Sequence, residues 1–115
     1  MAEIWHNPRC SKSRAALELL EAHYAPESLE IVAYLDTPPS RARLAAVAGA
    51  LPGGAPAPLR TKDAPSALAE AGDAAILDAL AATPAWIERP VVITSRGARV
   101  ARPLERVREV LEEEG

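Results

Sequence analysis

The chain has 115 residues, the size of one domain, and a domain of that size buries roughly two-thirds of its unfolded surface. Its net charge of −3 gives no general case for nucleic acid or an anionic membrane as a partner. A single cysteine excludes an internal disulfide and any CxxC pair, and no apolar run approaches the roughly 18 residues of a membrane span.

Hydrophobic residues make up 49% of the chain, but 25 of them are Ala and none is Phe. Ala-rich helices on a small Val/Ile sheet are therefore expected. Eleven of the basic residues are Arg and two are Lys. Arg suits bidentate binding of oxyanions, although a compositional bias toward Arg, Ala and Pro is the simpler account of Arg41, Arg43, Arg96, Arg106 and Arg108. The N-terminus lacks a charged-then-apolar signal pattern, so a cytoplasmic protein is expected. His6, His23 and Cys10 lack metal-ligand spacing, so no metal site is expected.

Residues 3–6 predict a first strand. Residues 11–24 predict a helix with Ala16, Leu17, Leu20 and Tyr24 on one face. Asn7-Pro8 marks the turn between the two, because proline disfavours helix in the residue before it. Residues 29–35 predict a second strand, ended by Asp36-Thr37-Pro38-Pro39. Ser40 caps a helix to about Ala50. Residues 52–58, rich in Pro and Gly, predict an exposed loop, extended in part. Residues 65–72 and 73–82 predict two short helices, the second capped by Asp73. Trp86 and Ile87 are expected in the core. Val91–Thr94 predicts a buried strand, Arg96-Gly97 a turn, and Ala98–Ala101 a return strand. Pro103 starts a last helix to about Glu113, with Leu104, Val107, Val110 and Leu111 as its apolar stripe. The order predicts an α/β fold with a mixed sheet, thioredoxin-like in layout, as a single domain with a helical insertion over about residues 40–87.

The chemistry concentrates at Cys10. Strand end and helix start meet there, so the sulfur is expected beside unpaired backbone N–H groups and the positive end of the helix dipole. A lone cysteine is more often a buried small hydrophobe. Here five of the eight flanking residues in His6–Arg14 are Arg, Lys or Ser, and none is Leu, Val or Ile. A free thiol is only about 3% ionised at neutral pH, and a helix dipole alone falls short of a mostly ionised sulfur. Arg9, Lys12 and Arg14 supply nearby cations, and a protonated His6 would add another. Ser11 and Ser13 supply caps or hydrogen-bond donors.

The run His6-Asn7-Pro8-Arg9-Cys10-Ser11-Lys12-Ser13-Arg14 resembles the active-site signature of the glutaredoxin-coupled arsenate reductases. So do Tyr34-Leu35-Asp36-Thr37-Pro38-Pro39, Leu59-Arg60-Thr61-Lys62, Glu88-Arg89-Pro90-Val91-Val92 and Ala101-Arg102-Pro103, in family order. The resemblance is closest to short members of that family, since the chain stops soon after its last predicted helix. It implies a thioredoxin-like fold and Cys10 as the nucleophile. It implies that His6 and Ser13, with Arg14 adding charge, keep the sulfur ionised. Arg60, Arg89 and Arg102 match three oxyanion-binding arginines, and Pro90 matches a cis-proline facing the cysteine. The implied activity is reduction of arsenate to arsenite by a monomer. Glutathione is the co-substrate and glutaredoxin the protein partner. Two other activities compete: a glutaredoxin-like thiol oxidoreductase acting on another substrate, and a non-catalytic redox regulator that binds RNA polymerase. Ser13, standing where a second cysteine would be, counts against the regulator.

Overall fold

The computed structural model describes residues 1–113. Four short strands form one sheet: β1 (Ala2–Trp5), β2 (Leu29–Val32), β3 (Val91–Thr94) and β4 (Gly97–Val100), in the order β2-β1-β3-β4. β1 runs parallel to β2 and antiparallel to β3, and β4 returns antiparallel to β3. A parallel pair needs a crossover, and α1 (Ser11–His23) supplies it.

Alternation along the strands separates two cores. Ile4 and Val92 are register partners and face α1, where they pack with Ala16, Leu20, Ala101, Val107 and Val110. Trp5 and Val91, the next pair, face the other way. They join a larger cluster with Leu44, Val47 and Ala48 of α2 (Arg41–Ala50) and Ile76, Leu77 and Leu80 of α3 (Asp73–Ala82). Both faces of the sheet are thus covered. None of the described helices is long and apolar enough to cross a membrane.

Three of the five expected helices, the hairpin and the parallel first pair are present, and Ser40 caps α2 by accepting from the Arg43 amide. Several boundaries move. β2 ends at Val32 rather than at 35, because the Ala33 carbonyl accepts from the amides of Asp36 and Thr37 and turns the chain. Tyr34 and Leu35 lie in that turn. Asp73 is the first residue of α3 and does not cap it. Gly72, at φ +92°, holds the cap position. Residues 65–72 form a 3-10 turn, Ser66–Glu70. The 52–58 loop is neither extended nor wholly exposed. Tight turns from Leu51, Gly54 and Pro56 coil it, and Ala55 and Pro58 are buried. Ile87 is core, whereas Trp86 is only partly buried against it.

The expected helix over 103–113 is instead a 3-10 turn, Leu104–Glu109, followed by irregular chain. Side chains take the backbone groups that would have extended it. Tyr24 Oη accepts from the Glu112 amide at 3.0 Å, Thr94 Oγ1 donates to the Val110 carbonyl at 2.6 Å, and Arg96 Nη1 donates to the Leu111 carbonyl at 3.0 Å.

Candidate active site

Cys10 sits between β1 and α1, half-buried, as the N-cap residue of α1. The loop before it is a closed knot of hydrogen bonds. The His6 amide donates to the Val32 carbonyl at 2.8 Å, carrying the β1–β2 pairing one residue past the strand. Asn7 Oδ1 accepts from the Arg9 amide and the Asn7 carbonyl from the Cys10 amide, both at 3.0 Å. The Cys10 carbonyl then accepts the first helical bond, from the Arg14 amide.

No side chain makes a formal capping bond at this helix start. The sulfur itself occupies the place of a cap: the amides of Lys12 and Ser13 favour its charged form. Burial alone would push the thiol up. The two amides, Arg102 and Arg89 outweigh it, and the net effect lowers the Cys10 pKa below its ordinary value. Arg102 Nη2 donates to Cys10 Sγ at 3.6 Å.

Ser13 does not act through its hydroxyl on the sulfur. It is fully buried, and its Oγ accepts from the Asn7 amide at 3.0 Å and shares a 2.6 Å hydrogen bond with His6 Nδ1. His6 is not the extra cation that the sequence suggested. Burial, and then the charge of Arg14, hold its pKa below the usual histidine value, which favours the neutral ring. Arg14 Nη1 donates to the Pro8 carbonyl at 2.9 Å and so braces the loop. Ser11, Arg9 and Lys12 are exposed.

The three arginines differ in how they are held. The Arg89–Pro90 peptide is cis, as is Arg102–Pro103. Arg102 is fixed at its Nε, which donates to the Arg89 carbonyl at 2.7 Å and lies 3.4 Å from Glu88 Oε1, leaving Nη2 for the sulfur. Arg60 is bound twice, through Nε to Asp63 Oδ2 at 2.5 Å and through Nη1 to Glu88 Oε1 at 2.7 Å. Arg89 has no carboxylate partner among the described residues, and its Nε is buried without a hydrogen bond. A cleft of about 260 Å³ opens beside Arg102 and Glu88, lined also by Leu51, Pro52, Arg99 and Arg106.

Three participants were missed from sequence. Glu88 stands next to Arg89 in a quoted motif and Asp63 three residues after Arg60, both readable as pairing signals. Tyr34 falls in the expected second strand and in a quoted motif, and neither assigns it a role. It is fully buried, and its hydroxyl lacks a hydrogen bond of ordinary geometry although the Asn7 side chain is near. Burial raises its pKa, so it stays a neutral donor.

The arrangement offers an activated sulfur at a helix N-terminus, one uncommitted guanidinium and two more held close by. The family model for the ArsC family matches residues 5–110. The chain is 43% identical over 117 residues to an arsenate reductase of Neisseria meningitidis serogroup A, covering 95% of this chain and 97% of that one. It is 41% identical over 118 residues to the arsenate reductase ArsI2 of Synechocystis, covering 97% and 82% respectively. The solved structure of an arsenate reductase from Vibrio cholerae matches with a TM-score of 0.81 at 35% identity, covering 96% of this chain and 97% of that one. The fold is thioredoxin-like, as in these neighbours. By sequence and by fold, the chain belongs to the ArsC family.

Proposed function

We propose that this protein reduces arsenate to arsenite through the Cys10 thiolate, with glutathione and glutaredoxin as the source of reducing thiols. The observation that carries the reading is the sulfur at the start of α1 with Arg102 Nη2 at 3.6 Å. Relatives named arsenate reductase over nearly the whole chain support it.

Arsenate is a tetrahedral oxyanion that repels a thiolate. Arg89 and Arg102 offset that repulsion, align the arsenic with Sγ and stabilise charge on the oxygens as the bond forms. Cys10 Sγ forms a bond to As(V), and one oxygen leaves as water. Glutathione adds its thiol to the bound arsenic, and glutaredoxin supplies the remaining reducing equivalent. The glutaredoxin thiolate attacks the glutathione sulfur, the glutathione S–As bond breaks with its electron pair going to arsenic, and a glutathione–glutaredoxin disulfide forms; water then displaces Cys10 from As(III), which releases arsenite and regenerates the thiolate. Both oxidised thiols come from outside, because Cys10 is the only cysteine and the chain has no second one to resolve the intermediate.

A second reading has support from Arg60. Its two ion pairs reduce the positive charge free to meet an oxyanion, which suits a glutaredoxin-like enzyme acting on mixed disulfides. Turnover with arsenate, glutathione and glutaredoxin, beside turnover on a glutathionylated peptide, separates the two. The first reading expects arsenite release that Cys10→Ser abolishes. Arsenate turnover retained in Cys10→Ser, or turnover of the peptide alone, overturns it.

A further inference from the structure

The arginine cluster already contains an anion. Glu88 Oε1 accepts from Arg60 Nη1 at 2.7 Å and from the Arg89 amide at 3.2 Å, and lies 3.4 Å from Arg102 Nε. One carboxylate oxygen therefore touches all three residues that carry the guanidinium groups. Glu88 is itself pinned, since its amide donates to the Pro58 carbonyl at 2.6 Å, while the Arg60 amide donates to the Trp86 carbonyl at 2.7 Å. These bonds, with the Leu59–Ile87 bridge, tie the Arg60 segment to the segment that leads into Arg89. The carboxylate is thus placed by backbone on both sides.

The charge balance follows. Among the described residues, three guanidinium groups face two carboxylates, Glu88 and Asp63, so a single positive charge remains to balance the Cys10 thiolate. Asp63 takes Arg60 through Nε, whereas Glu88 is shared between Arg60 and Arg102, the arginine that reaches the sulfur.

We infer that Glu88 is a specificity-determining carboxylate: it holds Arg60 and Arg102 in place and sets how much further negative charge the site accepts, favouring singly over doubly charged tetrahedral oxyanions. The inference rests on the oxyanion reading given above. The physics is simple. A fixed negative charge beside the site opposes an incoming anion in proportion to that anion's charge. Removing it strengthens binding of any anion, and in free energy a dianion gains twice what a monoanion gains.

The test uses the full chain and two inorganic probes of the same shape, perchlorate (singly charged) and sulfate (doubly charged). Each is titrated as a protectant of Cys10 against iodoacetamide, a neutral reagent, and the half-protecting concentration is read. This quantity is independent of the intrinsic alkylation rate, and the sulfate-to-perchlorate ratio is independent of the folded fraction. In Glu88→Gln, which keeps an oxygen acceptor, perchlorate binds about threefold tighter and sulfate about tenfold tighter, so the ratio shifts about threefold. Asp63→Asn shifts it less. Glu88→Ala, which also removes the tether, weakens protection by both ions relative to Glu88→Gln. An unchanged ratio in Glu88→Gln, or an equal shift in Asp63→Asn, overturns the inference and leaves the oxyanion reading standing. Failure of either ion to protect Cys10 in any of the proteins overturns both.

Discussion

Arg102 and Cys10 lie 92 positions apart in sequence, and Arg102 Nη2 comes to 3.6 Å from Cys10 Sγ. The sheet makes that approach. β1 carries its chain directly to the Cys10 loop, β3 lies beside β1, and β4 returns along β3 to deliver Arg102 just past its end. A hydrogen bond from a guanidinium to a thiolate stabilises the ionised sulfur.

The first prediction concerns that bond. Iodoacetamide alkylation measured against pH has a midpoint below that of an ordinary thiol, and Arg102→Ala moves the midpoint up. A lost hydrogen bond to a charged group costs about 1.5–3 kcal/mol, so kcat/KM for arsenate falls about ten- to a hundredfold. An unmoved midpoint in Arg102→Ala would remove this arginine from the activation of the sulfur.

Ser13→Ala tests the loop. The substitution strips the buried Asn7 amide and His6 Nδ1 of their shared partner. An unsatisfied buried donor costs about 1–3 kcal/mol, to be read as a shift in the denaturation midpoint at constant slope. A loss below about 0.5 kcal/mol, the level of an ordinary surface substitution, contradicts the account.

His6 gives a pH dependence. Its folded pKa lies below the ordinary histidine value of 6.5, by burial first and Arg14 second. Below that value the unfolded chain binds the proton more readily than the folded one, so stability falls as the pH drops through and below 6.5. Above 6.5 this contribution is constant. Urea denaturation at a series of pH values shows the slope in the native protein and a smaller one in His6→Gln. Equal slopes in the two proteins would place the acid sensitivity elsewhere.

Tyr34 separates shape from polarity. Its ring is buried in the larger core, and its hydroxyl has no well-formed hydrogen bond. Tyr34→Phe therefore changes stability by less than about 1 kcal/mol, whereas Tyr34→Ala costs about 3–5 kcal/mol through the cavity it leaves. A large loss in the Phe variant would mean that the hydroxyl is engaged after all.

Much of this molecule was legible in the sequence because local signals agreed with one another. Asn7-Pro8 before a helical period placed Cys10 at a strand–helix junction, Ser40 announced α2, and the Val91–Thr94 run announced a buried strand. What was lost depended on contacts far along the chain. Nothing local reveals that the Glu112 amide goes to Tyr24 instead of continuing a helix, so the apolar stripe of 104–111 was read as one. Nothing local shows that His6 is buried, and a histidine read without its burial looks like a cation. The guanidinium trio was recognised by motif, yet the motif is silent on charge balance. That Arg60 is doubly paired, and that Arg89 has no carboxylate partner among the described residues, emerges only once Glu88 and Asp63 are placed.

The segment after β4 carries one last consequence. Three of its backbone groups between residues 110 and 112 are satisfied by the side chains of Tyr24, just past the end of α1, and of Thr94 and Arg96 in the β3–β4 hairpin. Such a stretch keeps no shape by itself. It is fastened only while its hosts are assembled, so when the fold begins to come apart the Glu112 amide is among the first to exchange with solvent.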